Sequence, residues 1–377
     1  MKRLASLGML AALMGGGWTA LQNLSPQQIQ EAVQTVRTQV GPMLAQQVAQ
    51  QPAQQAPPAG PAQTPYAGGY SYTPVAGNAS FAPPPVVQEP PSIRIASFNI
   101  QVFGDSKASK PYVMQAIAQV VKSFDVIAIQ EIRTQDNNFI PKFLRDYVNV
   151  GVTSGGYDSR VSPRLGRTNS KEQYAFIFNT ATVDIHPQFC AVVPDPQDRL
   201  HREPFAALFR TRIVAPYTPF TFTLINIHTD PDEVPEELDA LYYVYDQVQR
   251  SRIDGAVEDD VILLGDLNTN VPAASRYTPN VEQRSITPRD LGLLGTIPGI
   301  APLIRREATN TRGTRLYDNL LISSMNTVEY LDHGVMDLRT ALGFQLSEEQ
   351  VLEVSDHLPV WGKFSAIEGG AYRSASR

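Results

Sequence analysis

Residues 93–100 read IRIASFNI, residues 126–131 read VIAIQE, and residues 261–268 read VILLGDLN. Each is a short apolar run that closes on a metal- or proton-handling side chain: Asn99, Glu131, and Asp266 with Asn268. Uninterrupted apolar runs of this length, bounded by turn residues, are strands covered on both faces; a half-exposed strand would alternate. Further strands are expected at 174–178, 220–227, 316–322 and 360–364. The spacing of Val113, Ile117, Val120 and Val121 predicts a helix over 109–123, and a second covers roughly 232–252. Strands buried on both faces with interspersed helices give a layered α/β arrangement.

The same polar ending recurs along the chain. His228 follows Asn226-Ile227, Asp318 opens YDNLLI, and Asp356-His357 sit in SDHLPV. One such end means little, but six suggest side chains converging on one edge of a sheet, where ligands bind. Asn, Glu and Asp oxygens are hard ligands suited to Mg²⁺, which bridges readily to phosphate. Histidines beside carboxylates offer a base to activate water and an acid to protonate a leaving alkoxide. Together they point to metal-assisted phosphodiester hydrolysis.

Composition bounds this reading. The 377 residues are 42% hydrophobic, ample for a packed core, and the net charge of −6 argues against binding a polyanion through bulk charge. It leaves room for a nucleic-acid enzyme whose metal ions and local basic strip carry the phosphate contacts. The one cysteine, Cys190, excludes an internal disulfide and a cysteine-based zinc cluster. Residues 1–22 have a basic start (Lys2, Arg3) and an apolar stretch from Leu4 to Met14, then small residues as far as Ala20, the pattern of a secretory signal. A Gln-rich amphipathic helix is expected over 23–50, and residues 51–92, with 11 prolines and one charge (Glu89), read as a linker. The main domain is expected over 93–367, with a loose tail over 368–377. The expectation is therefore an exported protein, with a surface tether through the N-terminal helix and linker as one option and no stable protein partner evident.

The segments IRIASFNIQVFG, VIAIQEIR, LGRTNSKEQYAFIF, HREPF, INIHTDP, VILLGDLN, LYDNLLI and VSDHLPV occur in this order. In them the chain resembles the endonuclease/exonuclease/phosphatase superfamily, and within it the deoxyribonuclease I-like branch. The resemblance runs from about Ile93 to Phe364. It implies a four-layer α/β/β/α sandwich with two packed, mainly antiparallel sheets, a Mg²⁺ or Mn²⁺ cofactor, and double-stranded DNA as substrate. It also implies roles for individual residues. Glu131, Asn99, Asp266 and Asp356 would hold metal or scissile phosphate, with Asn268 positioning beside Asp266. His228 would pair with Glu172 and His357 with Asp318. The residues leave open which dyad is acid and which base; His357–Asp318 as base is the reading adopted. Arg202, Arg133, Arg167 and Tyr317 match positions that meet phosphate or DNA. His186, His201 and His333 are given no role.

Departures from the family pattern are informative. Ser170 stands where the family has a minor-groove tyrosine, so a stacking platform is lost. Gln101 stands where an arginine would contact phosphate. The branch's disulfide cysteines are missing, and structural Ca²⁺ could compensate; Asp195, Asp198 and Glu203 are candidate ligands, a solvated acidic loop being the other reading. Two rival functions share the residues: a phosphodiesterase on sphingomyelin or an inositol phosphate, and a non-catalytic tethered binding protein.

Overall fold

The computed structural model describes residues 91–168, 170–253, 255–341 and 346–370. The signal-like segment, the Gln-rich helix, the linker and residues 371–377 lie outside the described residues. In chain order the first strands are β1 (Ser92–Phe103), β2 (Val126–Ile132), β3 (Tyr157–Val161), β4 (Gln173–Asn179), β5 (Val183–Val192), β6 (Phe205–Thr211) and β7 (Thr221–His228). They are followed by β8 (Arg252–Ile253), β9 (Ala256–Val257), β10 (Val261–Pro272), β11 (Ile300–Pro302), β12 (Arg315–Ser323), β13 (Tyr330–Val335) and β14 (Val360–Ser365). The helices that matter below are α1 (Pro111–Lys122), α2 (Phe139–Phe143), α3 (Val234–Gln249) and α4 (Glu348–Val354).

Two six-stranded sheets result, ordered β13-β14-β1-β2-β4-β3 and β11-β12-β10-β7-β6-β5. Each contains one parallel pair, β1 with β2 and β7 with β10; every other pairing within them is antiparallel. Helices α1, α2 and α4 cover the first sheet through Ala96, Phe98, Ile100, Ile127 and Ile129. Helix α3 packs Leu238, Leu241 and Val244 into the other core. The expected α/β/β/α layering and mainly antiparallel sheets are what the chain forms.

Strands missed in the sequence include one central, mostly buried strand, β6, and several less apolar edges. Along β5 only Val183 is buried, because it is the edge of its sheet, and β3 and β13 are likewise edges. Edge strands lack the long apolar run that marks a central one. β10 runs beyond the apolar residues 261–264 because its polar continuation still pairs with β12 at Val271 and Pro272. Helix α4 carries a capping box, Ser347 with Gln350, that a scan for apolar periodicity passes over.

Between the sheets, alternate residues share a face. The inward row of β1 is Ile93, Ile95, Ser97 and Asn99; that of β2 is Val126, Ala128 and Gln130. Read from the other direction, β4 contributes Phe178, Phe176, Tyr174 and then Glu172 just ahead of it. Every row is apolar at one end and polar at the other. The apolar end is filled by aromatic rings, with Phe209 and Phe222 stacked at 5.6 Å and Phe220 and Phe222 at 4.9 Å. Each ring fully withdrawn from water contributes about 2 kcal/mol relative to an exposed one. That dry end anchors the sandwich, and the polar end is where the site forms.

Candidate active site

Where the rows turn polar, amides replace hydrocarbons. Gln130 Nε2 donates to Asn226 Oδ1 at 2.7 Å and to Ser97 Oγ at 3.0 Å, joining the two sheets through buried side chains. Asn226 Nδ2 in turn donates to Ile129 O at 3.2 Å. One step further along each row come Asn99, His228, Asp266 and Asp318.

Asp266 is the centre. Its Oδ2 accepts from Asn99 Nδ2 at 2.9 Å and lies 3.6 Å from His228 Nε2 and 3.6 Å from His357 Nε2. Each imidazole is held from behind: His228 Nδ1 lies 2.9 Å from Glu172 Oε1, and His357 Nδ1 lies 2.8 Å from Asp318 Oδ2. All five side chains are nearly or fully buried. A carboxylate on Nδ1 fixes the ring's tautomer and leaves Nε2 facing the reacting group. Asp266 is delivered there by Gly265, where a Cβ would lie 1.9 Å from Ile227 O; only glycine lets β7 and β10 approach so closely.

Backbone near the site is bent at several positions. Glu131 has φ 61°, Asn268 φ 48° and Val102 φ 49°, left-handed backbone that costs energy for any residue but glycine. The pairing slips beside each of them, between Asn99 and Phe103 in β1, between Ile129 and Ile132 in β2 and between Asp266 and Val271 in β10. The β2 bulge brings Glu131 Oε1 to 3.4 Å from Asn99 Nδ2, and Val102 N donates to Glu131 Oε2 at 3.0 Å. Asn268 donates its backbone N–H to Asp266 Oδ1 at 3.0 Å and its side chain to Thr229 O at 2.9 Å.

The two dyads differ in their electrostatics. Burial acts to raise Glu172, but His228, then Arg202 and Arg133, outweigh it and hold its carboxyl below the usual range. Arg202 Nε lies 3.2 Å and Arg133 Nη2 3.5 Å from Glu172 Oε2. Burial likewise dominates at Asp318 and, with Asp266 adding to it, pushes that carboxyl up to about 6 against the pull of His357. Both imidazoles are depressed by burial yet end raised, His228 chiefly by Glu172 and His357 by Asp318, the latter up to about 10.

The residues matched to substrate contacts divide. Arg202 is buried and binds Glu172 and His228 O, so it supports the dyad from behind. Arg133 is partly exposed, between Glu131 and Glu172. Arg167 is exposed and pairs with Glu233 outside the dyads. Tyr317 stands 5.6 Å from the His357 ring, on the wall of an open groove of about 510 Å³ that also takes in Gln101, Arg312, Arg315 and Asp356. Asp356 is turned towards Gln101, whose amide donates to it at 3.0 Å. Asp195 accepts from Leu200 N at 2.6 Å within its own loop. Among the described residues, it does not share a three-ligand cluster with Asp198 and Glu203.

Two supporting residues escaped the sequence reading. Thr309 Oγ1 donates to Asp318 Oδ2 at 2.8 Å and accepts from Asp318 N at 3.0 Å. Nothing in ATNTRGT marks that threonine, since the contact depends on a turn returning to β12. Ser355 donates to Asn99 O at 2.8 Å and accepts from Gln101 N and His357 N, tying the SDH loop to β1. Lys107 caps the end of α4 beneath that loop, donating to Glu353 O and Val354 O.

The donor set fits a divalent cation. Asn99 Oδ1 is buried and accepts no hydrogen bond, as is Asp318 Oδ1, and ligand atoms of Asp266, Asp318 and His357 lie within 4.8 Å of one another. Residues 96–357 match the Endonuclease/Exonuclease/phosphatase family. The chain belongs to the endonuclease/exonuclease/phosphatase family. Within it, the chain is 32% identical over 280 residues to deoxyribonuclease gamma of Rattus norvegicus, covering 71% of this chain and 83% of that protein. It is 31% identical over 272 residues to deoxyribonuclease-1-like 2 of Mus musculus, covering 71% and 90%. These relatives put it in the deoxyribonuclease I-like branch of the family. A solved endonuclease/exonuclease/phosphatase family protein from Bacteroides thetaiotaomicron aligns at 16% identity with a TM-score of 0.47, covering 73% of this chain and 95% of that one.

Proposed function

We propose that this chain is a divalent-metal-dependent endonuclease that hydrolyses phosphodiester bonds of double-stranded DNA with little sequence preference. The observation that carries the reading is the pair of imidazoles facing one carboxylate, each 3.6 Å from Asp266 and each backed by its own carboxylate. Displacement at phosphorus needs a base where water enters and an acid where the bridging oxygen leaves. One Nε2 takes a proton from the attacking water as its oxygen bonds to phosphorus. The other gives a proton to the departing oxygen as the old phosphorus–oxygen bond breaks. His357 is read as the base and His228 as the acid, which requires that a cation on Asp266 remove part of the negative charge that otherwise keeps the His357 imidazole protonated. A divalent cation on Asn99, Glu131 and Asp266, with Asp356 beside the phosphate, would compensate the charge building on the phosphoryl oxygens.

Relatives named deoxyribonuclease support DNA as the substrate. The exposed Arg167 and the partly exposed Arg133 are read as backbone contacts, which position without specifying sequence. We read the chain as exported on the pattern of residues 1–20, with the N-terminal helix and linker as a tether. Supercoiled plasmid tests the main claim. The purified chain should nick it with Mg²⁺ or Mn²⁺ and stop on chelation. No cleavage at micromolar protein with either ion would overturn the reading, and hydrolysis of sphingomyelin without plasmid cleavage would transfer the chemistry to another substrate.

A further inference from the structure

Beyond the apolar ends of the rows, the rim of the sandwich opposite the dyads carries a group of carboxylates just outside the strands, and nothing in the proposed reaction uses it. Asp260 immediately precedes β10, six residues before Asp266, which at about 3.3 Å per residue places it about 20 Å from the reacting groups. Glu329 stands just ahead of β13, and Glu368 just after β14 in the turn Glu368–Gly370. That turn, expected to open a loose tail, is tied down instead: Gly369 N donates to Glu329 Oε1 at 2.5 Å, and Glu368 N to Thr218 O at 3.0 Å. One ligand atom from each of Asp260, Glu329 and Glu368 lies within 4.8 Å of the others, and Asp260 forms a second such group with Glu258 and Asp259.

Acidic side chains often gather on surfaces, and here Asp259 is exposed and Glu258 and Glu368 partly so, but the two carboxylates at the centre are not. Asp260 is 3% exposed and Glu329 1%. Glu329 Oε2 is buried without a hydrogen-bond partner, and the buried Asp260 carboxylate has only the neighbouring Thr327 hydroxyl to act against the repulsion. The charges acting most strongly on Asp260 and Glu329 are those of further carboxylates: Glu329, Glu258 and Glu368 on the first, Glu368 and Asp259 on the second. Burial first, and that repulsion after it, pushes Asp260 up to about 8 and raises Glu329, Glu258 and Glu368. A buried carboxylate oxygen with neither hydrogen bond nor cation is costly, and several together are costlier.

We infer that Asp260, Glu329 and Glu368 form a structural calcium site, with Glu258 and the Thr327 hydroxyl at its border. Its donors are oxygens alone, three of them carboxylate, with no imidazole or thiolate among them. Calcium at 2.3–2.6 Å from each oxygen can reach atoms separated by up to about 5 Å, and it accepts irregular carboxylate sets. Mg²⁺ demands a tighter octahedron and keeps its waters. The ligands come from both sheets, β10 in one and the flanks of β13 and β14 in the other. The ion would therefore cross-link the layers of a chain that has no disulfide to do so.

The test is thermal unfolding of the whole chain in excess Mg²⁺, with and without added Ca²⁺, beside equilibrium dialysis to count bound calcium. Calcium a hundredfold above its Kd should raise Tm by about 5 °C. In Glu329→Gln and in Glu368→Gln that rise should vanish and one bound calcium per chain should be lost. Each variant removes a repelled carboxylate, so without calcium its Tm should equal or exceed that of the parent, and Mg²⁺-dependent plasmid cleavage should persist in Mg²⁺ alone. No calcium effect on the parent, or the same rise and the same count in parent and variants, overturns the site.

Discussion

Glu172 is surrounded by His228, Arg202 and Arg133, whereas Asp318, equally buried, has His357 and the Thr309 hydroxyl, with the like charge of Asp266 nearby. Both carboxylates orient an imidazole, and both imidazoles meet the same Asp266 oxygen. The chemistry in front is matched while the support behind is not. On one side an ion network fixes a charged carboxylate; on the other, hydrogen bonds hold a carboxylate that burial works against. The difference separates what catalysis requires from what folding tolerates.

The largest effects test the matched half. His228→Ala and His357→Ala should each reduce plasmid cleavage by about 10²–10⁴-fold, with circular dichroism and Tm close to the parent. Loss of the folded state in either variant would make that imidazole structural and break the equivalence. Next come the carboxylates, which test the unmatched half. Glu172→Gln leaves the buried Arg202 without its counter-charge, Arg133 keeping Glu131, and should destabilise by about 3 kcal/mol, read by denaturant unfolding. Asp318→Asn leaves no arginine behind and should stay within about 1 kcal/mol of the parent, although both variants lose activity. Equal stability losses would erase the contrast.

Proton linkage sharpens it further in chelated protein. Asp318, raised in the fold to about 6, binds more protons than its unfolded counterpart between about pH 4 and pH 6. Its contribution to stability therefore falls as pH rises through that window, and Asp318→Asn should flatten the profile there. Glu172 is lowered in the fold, so its contribution is present above the ordinary carboxylate range and is lost as pH falls through its folded value. Glu172→Gln should remove acid sensitivity. The same slope change in both variants would contradict the assignment. The smallest effect is at the support of Asp318: Thr309→Val should slow cleavage by about tenfold, the worth of one buried hydrogen bond to a charged group, without moving the activity of the other dyad's variants.

Much of the site was legible because its residues end apolar strands. Asn99, Glu131, His228 and Asp266 close apolar runs and Asp318 opens one, and the structure brings them together. The families of strands at the sheet edges were not legible, because β3, β5 and β13 carry mixed residues on solvated faces. Thr309 and Ser355 were invisible for another reason. Their roles arise from loops that fold back onto β12 and β1, and local spacing carries no record of that return. Arg202 was read as a phosphate ligand from motif alone, while its burial behind Glu172 is a tertiary fact. The carboxylates of the opposite pole come from three separate strand flanks, so no motif announces them.

The claim that the two imidazoles divide acid and base work can be tested by changing the leaving atom. In a substrate with sulfur at the leaving bridging position, the departing thiolate needs no proton. This substrate should restore most of the rate lost in His228→Ala and little of that lost in His357→Ala. Restoration of both variants equally, or of neither, would contradict it.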